Sequence, residues 1–252
     1  MIYNILKQKF TEPWEDVFEY FLNQCDIYDD YYECINFNYK ISPYSGMFMS
    51  KFEDVLDLEK AKAVYEWYRN KDSRDHSIEN YFDEYKHCTD KDHLDFNSNY
   101  GLYAYSEEGL DKCIKYLIKD PMTRQAMFCI NNNEAMSERS IDKLCTNTIQ
   151  FFIRNNSLKM IVQMRSSNFL TLLPYDSMMF CYWYFYVYDT LRKNGMKTLN
   201  TDFIYFNAAS LHMYKEKAES LNVKSKKYSP EELFDFYKNY NYKNIIKPIN
   251  NE

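Results

Sequence analysis

Two apolar segments, Thr148–Arg154 and Leu158–Arg165, are rich in Ile, Phe, Val and Met, and the Asn155–Asn156–Ser157 between them has the chemistry of a turn. This pattern predicts an antiparallel hairpin. In its second strand Leu158, Met160, Val162 and Met164 share one face, while Lys159, Ile161, Gln163 and Arg165 share the other, so only one side asks for burial. Helical patterns flank the hairpin. Leu56–Lys71 places Leu58, Ala61, Tyr65 and Tyr68 at helical spacing, and Glu107–Lys119 continues in the same period until Asp120–Pro121 stops it. A long helix is expected over 176–194. Its aromatic run, Tyr182–Tyr188, is apolar on every face and therefore reads as core rather than as a platform for stacking bases. Beyond it, Phe203–Asn207 predicts a strand, His212–Ser220 a short helix, and 238–252 a loosely ordered tail rich in Asn, Lys and Tyr. With no Pro/Gly/Ser linker and no repeat, the expectation is one α+β domain over residues 1–252, a mixed β-sheet packed with helices.

Glycine is the scarce residue. Four in 252 leave no GxGxxG and no P-loop, so a bound phosphate would have to be held by side chains. A net charge of −6 argues against nucleic acid as a partner, because nothing would neutralise a run of phosphates. Seven cysteines, an odd number without a CxxC, indicate neither a disulfide framework nor a zinc knuckle and fit a reducing interior. No metal site is read: His76, His87 and His93 lie in the polar stretch Lys71–Asp95, which is expected to be a solvated loop. The N-terminus shows no signal peptide, and the apolar stretch Met178–Tyr188 is about half of what a bilayer crossing needs. The expected location is cytoplasmic, with no membrane partner.

Cys145 is the residue with the most chemical potential, because a thiolate is the strongest nucleophile a protein offers near neutral pH. Its context turns that potential into a hypothesis. In order along the chain come Glu66–Trp67–Tyr68, Asn97–Ser98–Asn99–Tyr100–Gly101, Asp120–Pro121–Met122–Thr123–Arg124, Cys145–Thr146–Asn147–Thr148, Met164–Arg165–Ser166, Asp176, and Ser210–Leu211–His212–Met213–Tyr214. Over roughly residues 56–216 this order and spacing resembles the thymidylate synthase superfamily, and within it the bacteriophage deoxycytidylate hydroxymethylases.

The resemblance implies a thymidylate-synthase-like fold, a homodimer joined through a sheet face, and one-carbon transfer from 5,10-methylenetetrahydrofolate to C5 of a cytidine monophosphate, dCMP or CMP. It implies roles as well. Cys145 is expected to add to C6, Tyr100 to line the reaction centre, Arg165 and Ser166 to bind phosphate, Arg124 to reach the neighbouring subunit's phosphate, and His212 and Tyr214 to bond the sugar 3′-hydroxyl. Asn168 stands where the family has an aspartate near the pterin. Asp176 stands where the methylating synthases have Asn and the cytidylate enzymes Asp. The chemistry agrees: a protonated carboxyl donates to N3 of cytosine and accepts from its N4 amine, whereas an amide matches uracil. Asp176 would also serve as the N-cap of the 176–194 helix. Four further positions depart from the family. Val64 replaces the catalytic glutamate, Gln125 a phosphate-binding arginine, and Leu172 a glycine, and near Asp29 no basic residue is found. Two alternatives therefore stand beside the hydroxymethylase: an enzyme of the same fold with altered nucleotide or one-carbon chemistry, and an inactive homologue that binds a nucleotide or a partner.

Overall fold

The structure, a computed structural model, describes residues 7–88, 95–132, 136, 141–221 and 225–240. Its frame is a seven-stranded mixed sheet. In chain order the strands are β1 (Asp26–Ile27), β2 (Tyr31–Ile41), β3 (Met127–Cys129), β4 (Thr146–Arg154), β5 (Ser157–Met164), β6 (Ser167–Asn168) and β7 (Asn200–Tyr214). They lie in the spatial order β1-β2-β7-β5-β4-β3, with β6 also on β7. The pairs β5·β7 and β6·β7 are parallel and the others antiparallel.

The expected hairpin is β4–β5, closed by Asn155 and Asn156 at φ 52° and 55°. A two-residue turn with both centres left-handed follows the twist of the strands, and asparagine tolerates that region better than most residues. Leu158, Met160, Val162 and Met164 are buried and their alternates are not. The same alternation puts Ile149, Phe151, Ile153, Ile204 and Phe206 on the covered face. Phe152, Ile161, Tyr205 and Phe203 lie on the opposite face, half-buried or exposed.

Helices cover one face. α1 (Glu12–Gln24) sends Trp14, Phe18 and Phe21 inward, and Phe18 and Phe21 pack on Phe169. A single turn, α2, follows at Pro43–Gly46. α3 spans Leu58–Asn70 within the expected range, its N-terminus capped by Asp57, whose Oδ1 accepts from the amides of Glu59 and Lys60. A turn at Gly101–Ala104 (α4) precedes α5, Leu110–Lys119, which ends where the proline dictates. α6, Leu173–Lys193, is the central helix and buries residues around its whole circumference, as the aromatic run suggested.

Three expectations are corrected. The strand expected at Phe203–Asn207 runs from Asn200 to Tyr214, so His212 and Tyr214 sit on a strand, and only Lys215–Ser220 (α7) is helical. Ten cross-strand pairs with β2 override local helix propensity there. α6 starts three residues before Asp176, which is therefore inside the first turn and not its cap. The stretch Lys71–Asp95 is no open loop as far as it is described. His76–Asn80 and Asp83–His87 are 3-10 turns that bury Ile78 and Phe82, and Tyr85 packs on Trp67. Lys238 and Asn239, at the start of the expected tail, close helix α8 (Pro230–Asn239); residues 241–252, like His93, lie outside the described residues. No described helix is long and apolar enough to cross a membrane, and no group of three or more potential metal ligands occurs among the described residues.

Candidate functional site

Hairpin geometry assembles the first pair. Cys145 immediately precedes β4 and Arg165 immediately follows β5, so antiparallel pairing, with Thr146 opposite Met164, brings them side by side. The Arg165 amide donates to Cys145 O at 2.8 Å. Its guanidinium Nε donates to Leu144 O at 2.8 Å, Nη2 donates to Lys143 O, and Nη2 lies 3.9 Å from the Cys145 Sγ. Burial pushes the thiol up to about 11, against the opposing pull of Arg165 and reinforced by the carboxyls of Asp176 and Asp142. Only about one part in 10⁴ is then thiolate at pH 7, so in this state the thiol is almost wholly protonated.

Tyr100 and Asp176 approach from the helical side. The buried Tyr100 hydroxyl accepts the Thr146 amide at 3.2 Å, and its ring stacks on Tyr68 of α3 at 5.6 Å. Asp176, on the first turn of α6, is close enough to Cys145 and Tyr100 for its charge to raise both. Desolvation lifts its own carboxyl to about 7. The side chain is half-buried, and its charge reaches Tyr39, Tyr68, Tyr85 and Tyr100. Near neutral pH it is therefore a mixture of carboxylic acid and carboxylate.

A second group lines up across three strands. Asn168 on β6 is opposite His212 on β7, and His212 is opposite Glu33 on β2. The Glu33 carboxylate accepts from the Ser210 hydroxyl at 2.5 Å, and Ser166 Oγ lies 3.5 Å from His212 Nδ1. Burial lowers the His212 pKa, Arg165 adds to the effect and Glu33 opposes it, so the ring is neutral and offers one acceptor nitrogen. Tyr214, two residues on, meets the His212 ring edge-on at 5.3 Å and is exposed. Asn168 Oδ1 accepts from the amides of Leu170 and Thr171.

Arg124 is not part of this cluster. It is exposed beside the middle of β4, where Gln150 Nε2 donates to its carbonyl, five strand positions or roughly 17 Å from Cys145. Gln125 and Asp29 are exposed too. Val64 is buried on α3 one turn before Tyr68, and Leu172 is the residue preceding α6.

Three residues near the cluster escaped the sequence reading. Tyr85 and Asp142 interact electrostatically with Cys145, and Glu33 faces His212. Nothing local marks Tyr85 or Asp142. Glu33 could have been found only by pairing β2 with β7.

The residues between Asn168 and Asp176 open on a further space. Leu170, Thr171 and Tyr175, with Phe82, line a cavity of about 200 Å³ edged by Glu53, Asp54, Asp57, Glu84, Lys60 and Lys217. Phe82 and Tyr175 meet edge to face at 5.0 Å, and the Tyr175 hydroxyl accepts the Asp57 amide at 3.2 Å.

Comparison with known proteins agrees with part of this picture. Over 136 residues the chain is 30% identical to the deoxycytidylate 5-hydroxymethyltransferases of Enterobacteria phages T4, T2 and T6. The likeness is to phage hydroxymethyltransferases. It covers 48% of this chain and 52% of theirs, so the chain spans about half the length of the curated relatives it matches. No family model matches the chain.

Proposed function

We propose that this chain is a pyrimidine-nucleotide C5 hydroxymethyltransferase of the thymidylate synthase type, acting as a homodimer on a cytidine monophosphate, dCMP or CMP. The observation that carries the reading is the convergence of a thiol, Cys145, with a carboxyl, Asp176, that remains partly protonated at neutral pH. The acid form of Asp176 donates to N3 of cytosine and accepts from its N4 amine, which holds the ring flat against Cys145. Cys145 gives its proton to solvent and adds Sγ to C6. C5, made electron-rich, takes the one-carbon unit and loses its own proton, water replaces the folate nitrogen on that carbon, and the C6–S bond breaks to restore the ring and the thiol. Arg165 and Ser166 take the 5′-phosphate, while His212 and Tyr214 take the sugar 3′-hydroxyl. The names of the phage relatives, which act on deoxycytidylate, support the same substrate class.

5,10-Methylenetetrahydrofolate, which the resemblance implies, supplies a one-carbon unit at the formaldehyde level. The cavity of about 200 Å³ beside Tyr175 is large enough for the ring end of such a molecule and not for the whole of it. Phe82 and Tyr175 are walls for flat rings, Asp and Glu side chains accept from the amino edge of a pterin, and Lys60 and Lys217 suit a carboxylate tail. Dimerisation through the open sheet face around Phe152, Ile161 and Phe203 would bring Arg124 of one subunit to the phosphate of the other.

Val64 and a thiol near pKa 11 favour a second reading, an inactive homologue that keeps nucleotide binding. One experiment decides: tritium release from [5-³H]dCMP and [5-³H]dUMP, with and without methylenetetrahydrofolate. Release from dCMP that Cys145→Ser abolishes while nucleotide binding persists is expected. Binding without release in the wild type would establish the inactive homologue, and release unaffected by Cys145→Ser would sink the covalent mechanism.

A further inference from the structure

The segment that presents Cys145 is held at every residue from 142 to 146. Arg165 grips it from one side, through the carbonyls of Lys143, Leu144 and Cys145. From the other side Tyr100 takes the Thr146 amide, and the Asp142 carboxylate accepts the Ser98 amide at 2.6 Å. That second side is itself anchored. Asn99 Nδ2 donates to Trp67 O at 2.9 Å, its Oδ1 accepts the Gly101 amide, and Gly101 packs so close to α3 that a Cβ there would lie 1.7 Å from Tyr68 O. A continuous path of hydrogen bonds and close contact thus runs from α3 through residues 98–101 to the nucleophile.

We infer that Asp142 is a positioning residue of this site, whose carboxylate locks the Cys145 segment to the frame built by α3 and the Tyr100 segment. The inference rests on Cys145 being the nucleophile. Asp142 is 4% exposed, and this burial raises its pKa above the ordinary carboxyl value, while the Ser98 amide and Arg165 favour the charged form. A charge in this place has a chemical cost. Arg165, Asp142, Asp176 and Cys88 all act on the thiol, and of these only Arg165 favours the thiolate. The fold accepts a less reactive resting thiol and obtains in return a fixed direction of attack, and a misplacement of about 1 Å at a reacting atom costs on the order of 100-fold in rate.

Two variants separate these effects. Asp142→Asn keeps an acceptor for the Ser98 amide and removes the charge; Asp142→Ala removes both. In nucleotide-free protein, the pH profile of iodoacetamide alkylation, read by mass spectrometry on the Cys145 peptide with Cys145→Ser as blank, is expected to shift to lower pH in both. A shift of half a pH unit would speed the reaction roughly threefold at pH 8. In tritium release from [5-³H]dCMP, Asp142→Ala is expected to lose on the order of 10–100-fold in kcat with KM within about threefold. Asp142→Asn is expected to recover at least about tenfold of that loss. An alkylation profile unmoved in both variants, or a kcat of Asp142→Ala equal to wild type, overturns the inference. Absence of release in the wild type would instead overturn the reaction, leaving the alkylation profile to judge Asp142.

Discussion

Asp176→Asn converts a partly buried carboxyl into an amide of nearly the same shape, and its consequences follow from one number, a carboxyl pKa of about 7. If cytosine binds only the protonated acid, the competent fraction is about 10/11 at pH 6 and about 1/11 at pH 8, so the apparent Kd for dCMP rises about tenfold across that range. The amide has no proton to lose. Ionisation of the nucleotide's own phosphate, near pH 6, affects both proteins alike and cancels in their ratio. The variant should therefore bind dCMP with a flatter pH dependence and turn its preference toward dUMP, because each unmatched buried polar group costs about 1–3 kcal/mol. Stability carries the same signature. The folded carboxyl keeps its proton up to about pH 7, whereas the unfolded one loses it near its ordinary 3.8, so the folded state holds the extra proton between the two. Wild-type stability should then fall relative to Asp176→Asn as pH rises from 4 to 7. Calorimetric titration of both nucleotides at pH 6, 7 and 8, with thermal melts over the lower range, tests all of this. A wild-type to variant Kd ratio for dCMP that does not change with pH, or an unchanged dCMP to dUMP preference, would refute the base-reading role.

Three further expectations concern other parts of the molecule. Val64→Glu places a carboxylate on the α3 face next to Tyr68; it should lower the melting temperature, as an unpaired buried charge does, yet raise hydroxymethylation by about 10²–10⁴-fold if acid–base help is what the site lacks, and a slower variant would mean another group already does this work. Arg124→Ala and Arg165→Ala should each be inactive alone, while an equimolar mixture recovers up to about a quarter of wild-type activity per site, because half the dimers then contain one intact site; no recovery, or a monomer by light scattering, would remove Arg124 from the partner's site. Gly101→Ala should destabilise by at least about 1–3 kcal/mol in denaturant melts, since its Cβ would fall on the Tyr68 carbonyl, and an unchanged midpoint would show that the segment can yield.

The legible parts of the sequence were those whose order is local. The β4–β5 hairpin announces itself through alternation and two asparagines, and that hairpin alone places Cys145 beside Arg165. The central helix could be read from its apolar run, though not its start, because Pro174 at the head of the helix and the buried Leu173 extend it back past Asp176. Distant pairing is what local patterns miss. His212 and Tyr214 look helical in isolation and become strand because β2 supplies partners. Glu33 meets His212 for the same reason, and Asp142 joins the site through an amide 44 positions away. Arg124, identified only by resemblance, lies apart from Arg165 within one chain, which a second subunit would have to remedy.

The pairing of β7 with β2 has a bearing on how the protein assembles. Arg165 and Cys145 are 20 positions apart, whereas Glu33 and Ser210 are 177 apart. Closing the longer loop costs about 2 kcal/mol more in chain entropy, on the logarithmic scaling of loop closure. The hairpin can therefore nucleate early, while docking of β2 belongs among the late, slow contacts that raise contact order. Loop-closure entropy alone thus favours pairing of Cys145 with Arg165 before the wall around His212 is built. If the proposed roles hold, the thiol and its arginine depend on a local hairpin, whereas the sugar-binding wall of His212 depends on docking of β2, so a variant that loosens β2 should weaken sugar discrimination before it disturbs the Cys145–Arg165 pair.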